Sequence, residues 1–217
     1  MPDMGKSKVL YISTGLVVVL FGLATIFLGT PPKPTDSGTI VAAWFVEHAS
    51  DVRWSTWFGT LSGVAFAVFA VQVRRRLPAP YRDVFYFGAV ALAVETVLQS
   101  WFIVGMALHA RTLDPSTART LLDISSFWGP LLTSSTMLMF GSFTLAVVRK
   151  VGVVGVPRWV GYVTAVVFAE QLVETITIFG SRGFIAPGGP MNVVLGAGLS
   201  IIAFVCIAVA LAKAPER

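Results

Sequence analysis

Six apolar runs, each about twenty residues long, occur along this chain of 217 residues and leave it few ways to fold. They cover about 9–28, 54–73, 84–108, 127–148, 157–179 and 193–212. A run of that length, wound as an α-helix at about 1.5 Å per residue, matches the hydrocarbon thickness of a bilayer and pairs its backbone polar groups internally. With 55% hydrophobic residues, only 12% charged residues and a mean hydropathy of +0.79, the chain reads as a polytopic membrane protein. The expected fold class is all-α: one membrane domain over 1–217, built as a bundle of six transmembrane helices.

Lys6 and Lys8 ahead of the first run resemble the charged start of a signal peptide. That run is long enough to span, however, and the following Thr30-Pro31-Pro32-Lys33-Pro34-Thr35 lacks a small-residue cleavage pattern, so it reads as an uncleaved first span. After it, Thr35, Asp36 and Ser37 offer caps for an amphipathic stretch at about 38–50. Trp44 and Phe45 suit that stretch to lying as a short outer helix in the headgroup layer. Gly59 and Gly63 form a GxxxG pair that permits close packing of the second span.

Charge sets the expected orientation. With the amino terminus inside, the inner loops and ends hold Lys6, Lys8, Arg74, Arg75, Arg76, Arg82, Arg149, Lys150, Arg158, Lys213 and Arg217. The outer side holds only Lys33, Arg53, Arg111, Arg119 and Arg182. Short basic inner loops are what the positive-inside rule demands, so both termini are expected in the cytoplasm of a bacterial inner membrane. The net charge of +5 is dispersed among loops, which argues against a nucleic-acid partner. The single Cys206 excludes an intramolecular disulfide and a cysteine-based zinc site.

Two runs carry carboxylates. Ala89 to Trp101 holds Glu95 and Gln99 one helical turn apart, and Phe168 to Phe179 holds Glu170, Gln171 and Glu174. A charged residue at a helix centre costs about 2.5–3.5 kcal/mol on insertion scales, so such groups normally face a polar interior and mark a working site. Val94-Glu95-Thr96-Val97 and Val173-Glu174-Thr175-Ile176 share a pattern. Around them a faint parallel repeat relates Ser55-Thr56-Trp57-Phe58-Gly59, an arginine cluster and Val-Glu-Thr to Ser125-Ser126-Phe127-Trp128-Gly129, Arg149-Lys150 and Val-Glu-Thr.

The layout of the spans, Ala42-Ala43-Trp44 in the outer segment and Pro157-Arg158-Trp159-Val160-Gly161-Tyr162 before the fifth span resemble a family of small bacterial six-span membrane proteins of unknown function. That resemblance implies the topology and no chemistry. Glu95, Glu170 and Glu174 are in turn similar to the carboxylates of small membrane-bound terpene cyclases, an analogy that implies proton-initiated isomerisation or cyclisation.

The residues themselves support three readings. In the first, at least one glutamate carries a proton at neutral pH, because two carboxyls sharing an apolar site resist joint ionisation. Glu95 and Glu174 then act as an acid–base pair with Glu170 as orienter or alternate acid. Gln99, Trp101, Phe102, Thr133, Thr136, Phe168 and Gln171 line a pocket for a hydrophobic substrate or lipid, and aromatic faces, Phe179 among them, steady a developing cation. The second makes the same glutamates the proton sites of a small-molecule transporter. The third makes them neutral interhelical hydrogen bonds in a non-catalytic subunit. None calls for a cofactor or a metal: His48 and His109, beside Glu47 or Asp114, have no recognised ligand spacing.

Overall fold

The structure, a computed structural model, describes residues 4–126, 128–149, 153 and 155–215, and the side chains of 8–126, 133–149, 153 and 155–215. Phe127, the expected first residue of the fourth span, and Lys150 and Arg217 of the inner charge set lie outside the described residues. Among those described there is no strand. The described residues form seven α-helices in order: α1 (Met4–Leu28), α2 (Gly38–Arg76), α3 (Tyr81–Leu108), α4 (Pro115–Ser126), α5 (Trp128–Val148), α6 (Arg158–Glu174) and α7 (Ala197–Lys213). Among the described residues, five helical segments are long and apolar enough to cross a membrane: Lys8–Leu28, Gly38–Arg76, Tyr81–Leu108, Arg158–Phe179 and Met191–Lys213. The apolar helix Thr133–Val148, within the 21-residue α5, is shorter.

Two features depart from the sequence reading. The outer amphipathic stretch is not a separate helix in the headgroup layer. It forms the first turns of α2, which runs unbroken for 39 residues. His48-Ala49-Ser50-Asp51-Val52-Arg53 is polar but contains no glycine or proline, so nothing stops the helix where it leaves the apolar run. At about 58 Å, α2 is nearly twice as long as the hydrocarbon core is thick. Its amino-terminal half packs against α4 and the end of α3 in a second core of Val41, Phe45, Val52, Met106, Ala107, Ala118 and Leu122.

The polar stretch after α3 supplies that cap with α4, the second departure. Asp114 accepts hydrogen bonds from the Ser116 and Thr117 backbone N–H groups, both at 3.0 Å, and Pro115 takes the first helical position, where its missing N–H costs nothing. The Ser116 hydroxyl and these amides hold the Asp114 carboxyl below the usual carboxylate range. Arg119 then ties α4 to the α1–α2 connection. It donates to the carbonyls of Lys33 at 3.0 Å and Asp36 at 3.2 Å and pairs with Asp123.

The hairpin of α1 and α2 is antiparallel: the Ser62 hydroxyl donates to the Val17 carbonyl at 3.2 Å, while Phe27 meets Trp54 and Phe58. Phe204 of α7 joins the layers, lying 5.3–5.5 Å between ring centroids from Phe66 and Phe69 of α2 and Phe140 of α5. Arg76 at the end of α2 donates to the Leu211 carbonyl near the end of α7, and Gly155 packs on Ala214 and Pro215. The ends of α2 and α7 and the α5–α6 connection therefore share one face of the bundle. The cap and the α1–α2 connection share the other.

Candidate functional site

The fifth apolar run does not stay α-helical to Phe179. α6 ends at Glu174 and the chain tightens into a 3-10 turn, Thr175–Phe179; the last run begins with a π-helical turn, Met191–Gly196, before α7. Both changes of winding sit beside Glu174, which is only 3% exposed. A 3-10 turn commonly ends an α-helix, whereas a π turn is rare and frequently sits at a functional site.

The side chains there form one polar cluster. The Gln171 Nε2 group donates to Glu170 Oε2 at 2.7 Å and to Glu174 Oε2 at 2.8 Å, so those oxygens are no farther apart than the sum of these distances. Asn192 Nδ2 donates to the second Glu174 oxygen, Oε1, at 2.5 Å. Asn192 Oδ1 in turn accepts the Gly188 N–H at 2.9 Å, tying the loop above the cluster to it. Thr136 of α5 donates to Gln171 Oε1, which leaves the amide's NH₂ group facing the carboxyls. Gly196 closes the space: a Cβ there would collide with Glu174 Oε2 and stand 3.2 Å from Gln171 Nε2. The cluster is therefore a dense polar core and not an open chamber.

Glu95 has different company. It is half-buried on α3, and its Oε2 accepts the Ser135 hydroxyl of α5 at 2.8 Å. Ser135 and Thr136 are neighbours in sequence, so α5 offers one hydroxyl toward Glu95 and the next toward Gln171. The carboxyl that shares a donor with Glu174 is thus Glu170, not Glu95.

Of the other expected lining residues, Thr136 and Gln171 belong to the cluster, and Thr133 is buried one turn away, its carbonyl accepting the Thr136 hydroxyl at 3.2 Å. Phe168 packs across Gly141, where an added Cβ would stand 3.1 Å from its ring. Gln99 is half-buried on α3. Trp101 is 64% exposed, Phe102 37% and Phe179 86%. These three rings belong to the outer surface of the bundle, and the structure does not gather them around the glutamates. Trp101 lies about 120° around the helix from Glu95, so the two point to different sides.

Asn192 and Gly196 are the site residues that the sequence reading missed, because Gly188-Gly189-Pro190 marks a loop that reads as ending at Asn192. A signal was present: Asn192, Gly196 and Ser200 recur every fourth residue, and all three are buried. Comparison with family models, curated proteins and solved structures gives no match to this chain.

Proposed function

We propose that this is a bacterial inner-membrane protein of six spans with both termini in the cytoplasm, working as a proton-coupled carrier of a small amphipathic molecule. α5 serves as the sixth span, since its 21 residues reach about 32 Å. The basic face supports the orientation: Arg75, Arg82, Arg149, Arg158 and Lys213 are all exposed at one end, where Asp83 is the only described acid.

The observation that carries the reading is the single Gln171 amide donating both to the buried Glu174 and to the half-buried Glu170. Glu174 is the buried member of this pair, and a carboxyl that gains and loses a proton there changes the hydrogen bonding of its neighbours. Those neighbours are a 3-10 turn that closes one span and a π turn that opens the next, and irregular turns beside a polar site are a recurrent feature of carriers. Close packing around Glu174 favours proton exchange here over accommodation of a bulky substrate.

A second reading, an acid–base isomerase or cyclase acting on a hydrophobic substrate such as an isoprenoid, rests on Glu95. It is half-exposed, it has one serine donor, and a lipid-soluble molecule can reach it sideways from the bilayer.

One experiment separates the two. The protein is reconstituted in vesicles with an internal pH dye and challenged with a panel of amphipathic amines, acids and lipids, while the detergent-purified protein is incubated with isoprenoids and its products are read by mass spectrometry. The carrier reading expects compound-dependent proton movement in vesicles and no conversion in detergent. Conversion without proton movement would overturn it in favour of the enzyme.

A further inference from the structure

The stretch joining the fifth apolar run to the last, residues 180–190, is folded tightly on itself. A Cβ at Gly180 would strike the Ile185 carbonyl and one at Gly189 the Ala186 carbonyl; Ala186 is buried, while Phe184 and Ile185 beside it are exposed. Gly183 at φ +74° and Gly188 at φ +69° bracket Phe184 to Pro187 with left-handed backbone that only glycine adopts freely. This loop stands close to the carboxyl cluster. From Glu174 to Phe179 the 3-10 turn advances about 10 Å, whereas about 24 Å of α-helix separates Glu174 from Arg158 at the other end of the span. Asn192 joins loop and cluster: its Oδ1 accepts the Gly188 N–H at 2.9 Å, and its Nδ2 donates to Glu174 Oε1. On its other side Gly188 meets the end of α4, where an added Cβ would stand 3.7 Å from the Ser126 Cβ.

We infer that the 180–190 loop is the gate of the Glu174 site toward the face opposite the basic one, with Asn192 as its latch. This inference deepens the carrier reading and rests on it, since it names what governs access to the same carboxyl. Glu174 and Asn192 are both only 3% exposed, so whatever reaches them from that face must displace part of the fold, and the loop is the thinner layer. Its fastening suits it to move. One amide holds both the loop and the carboxyl, so a rotation of the Asn192 side chain breaks the two bonds together: release of the loop and uncovering of Glu174 are one event. The two left-handed glycines supply hinges at either end of Phe184 to Pro187, positions where backbone rotation meets no Cβ.

The test is a reversible lock. The 3.7 Å at Ser126 falls within the range of about 3.5–4.5 Å between the Cβ atoms of a disulfide, so Ser126→Cys with Gly188→Cys, on a Cys206→Ser background, tethers the loop to α4. In vesicles, proton movement read with the internal pH dye and the amine, acid and lipid panel is expected to fall by about tenfold or more on oxidation and to return on reduction. The strain of a side chain at φ +69° is present in both forms, so comparing them isolates the tether. The latch is read separately on the detergent-purified full chain, which keeps the inference open to refutation should the double variant fold poorly. On the same Cys206→Ser background, Ala186→Cys is expected to react slowly with a charged methanethiosulfonate, and about tenfold faster once Asn192→Ala removes the latch, the effect of one hydrogen bond worth about 1.4 kcal/mol. Proton movement that survives oxidation, or labelling that Asn192→Ala leaves unchanged, overturns the gate and leaves the carrier standing. Absence of proton movement in the wild type overturns the carrier, and the gate with it.

Discussion

Glu95 and Glu174 occupy the same sequence pattern, yet the fold gives them opposite surroundings. Around Glu95 the helix continues undisturbed for three more turns, the neighbouring Val94, Thr96 and Val97 are exposed, and a single serine reaches the carboxyl. Around Glu174 the α-helix stops, two amides donate to the carboxyl, and a glycine on the facing helix lets it approach. A Val-Glu-Thr motif in an apolar run therefore does not define a site by itself. The difference comes from what the partner helix presents: a plain hydroxyl on α5 in one case, and a π-turn carrying Asn192 and Gly196 in the other.

If that comparison is right, changes at the two glutamates will differ most in activity. Glu174→Gln keeps an acceptor for Asn192 but sets an NH₂ group against the Gln171 NH₂, and it removes the exchangeable proton. Proton movement in vesicles is expected to fall by about 100-fold or more, the range for loss of a positioned proton-transfer group, with Glu95→Gln staying within a few-fold of wild type. Equal losses would erase the distinction between the sites.

Stability sharpens the comparison next. Gly196→Ala drives a methyl group into Glu174 Oε2 and is expected to destabilise by about 1–3 kcal/mol, read as a lower Tm in detergent. Asn192→Ala strips one donor from Glu174 and leaves the Gly188 N–H without its acceptor, for a loss of about 1–2 kcal/mol by the same measurement. Ser135→Ala, the matching change at Glu95, removes one interhelical hydrogen bond and is expected to cost only about 0.6 kcal/mol.

The smallest effect lies in the cap. Folding holds the Asp114 carboxyl below its ordinary range, so its contribution is complete above the unfolded-state value and is lost as pH falls through the lower folded-state value. Proteolysis within α4 at Arg119 is expected to quicken only in that acidic window, and cleavage that quickens at neutral pH would contradict this.

The helical class and the positions of the apolar segments were legible in the sequence, because run length and hydropathy suffice where a bilayer must be crossed. Where α2 begins was not legible: leaving the bilayer changes composition but breaks no helix, so Asp51 to Arg53 reads as a joint between an outer helix at about 38–50 and the second span, and folds as part of one continuous helix. Which way residues face was only partly legible. A span that is apolar on all sides offers little contrast between lipid and neighbour, and Trp101 was drawn to Glu95 by proximity in sequence although helical geometry turns it away. The Glu170–Gln171–Glu174 grouping was visible, whereas Asn192 was hidden by the glycine–proline loop ahead of it and by a π turn that no local residue announces.

The central claim is that Glu174, and not Glu95, carries the exchangeable proton. Infrared difference spectroscopy across a pH jump reads it directly through the carbonyl stretch of protonated carboxyl groups. The account predicts a titrating band in the wild type and in Glu95→Gln that disappears in Glu174→Gln. A band that survives in Glu174→Gln and vanishes in Glu95→Gln would contradict it.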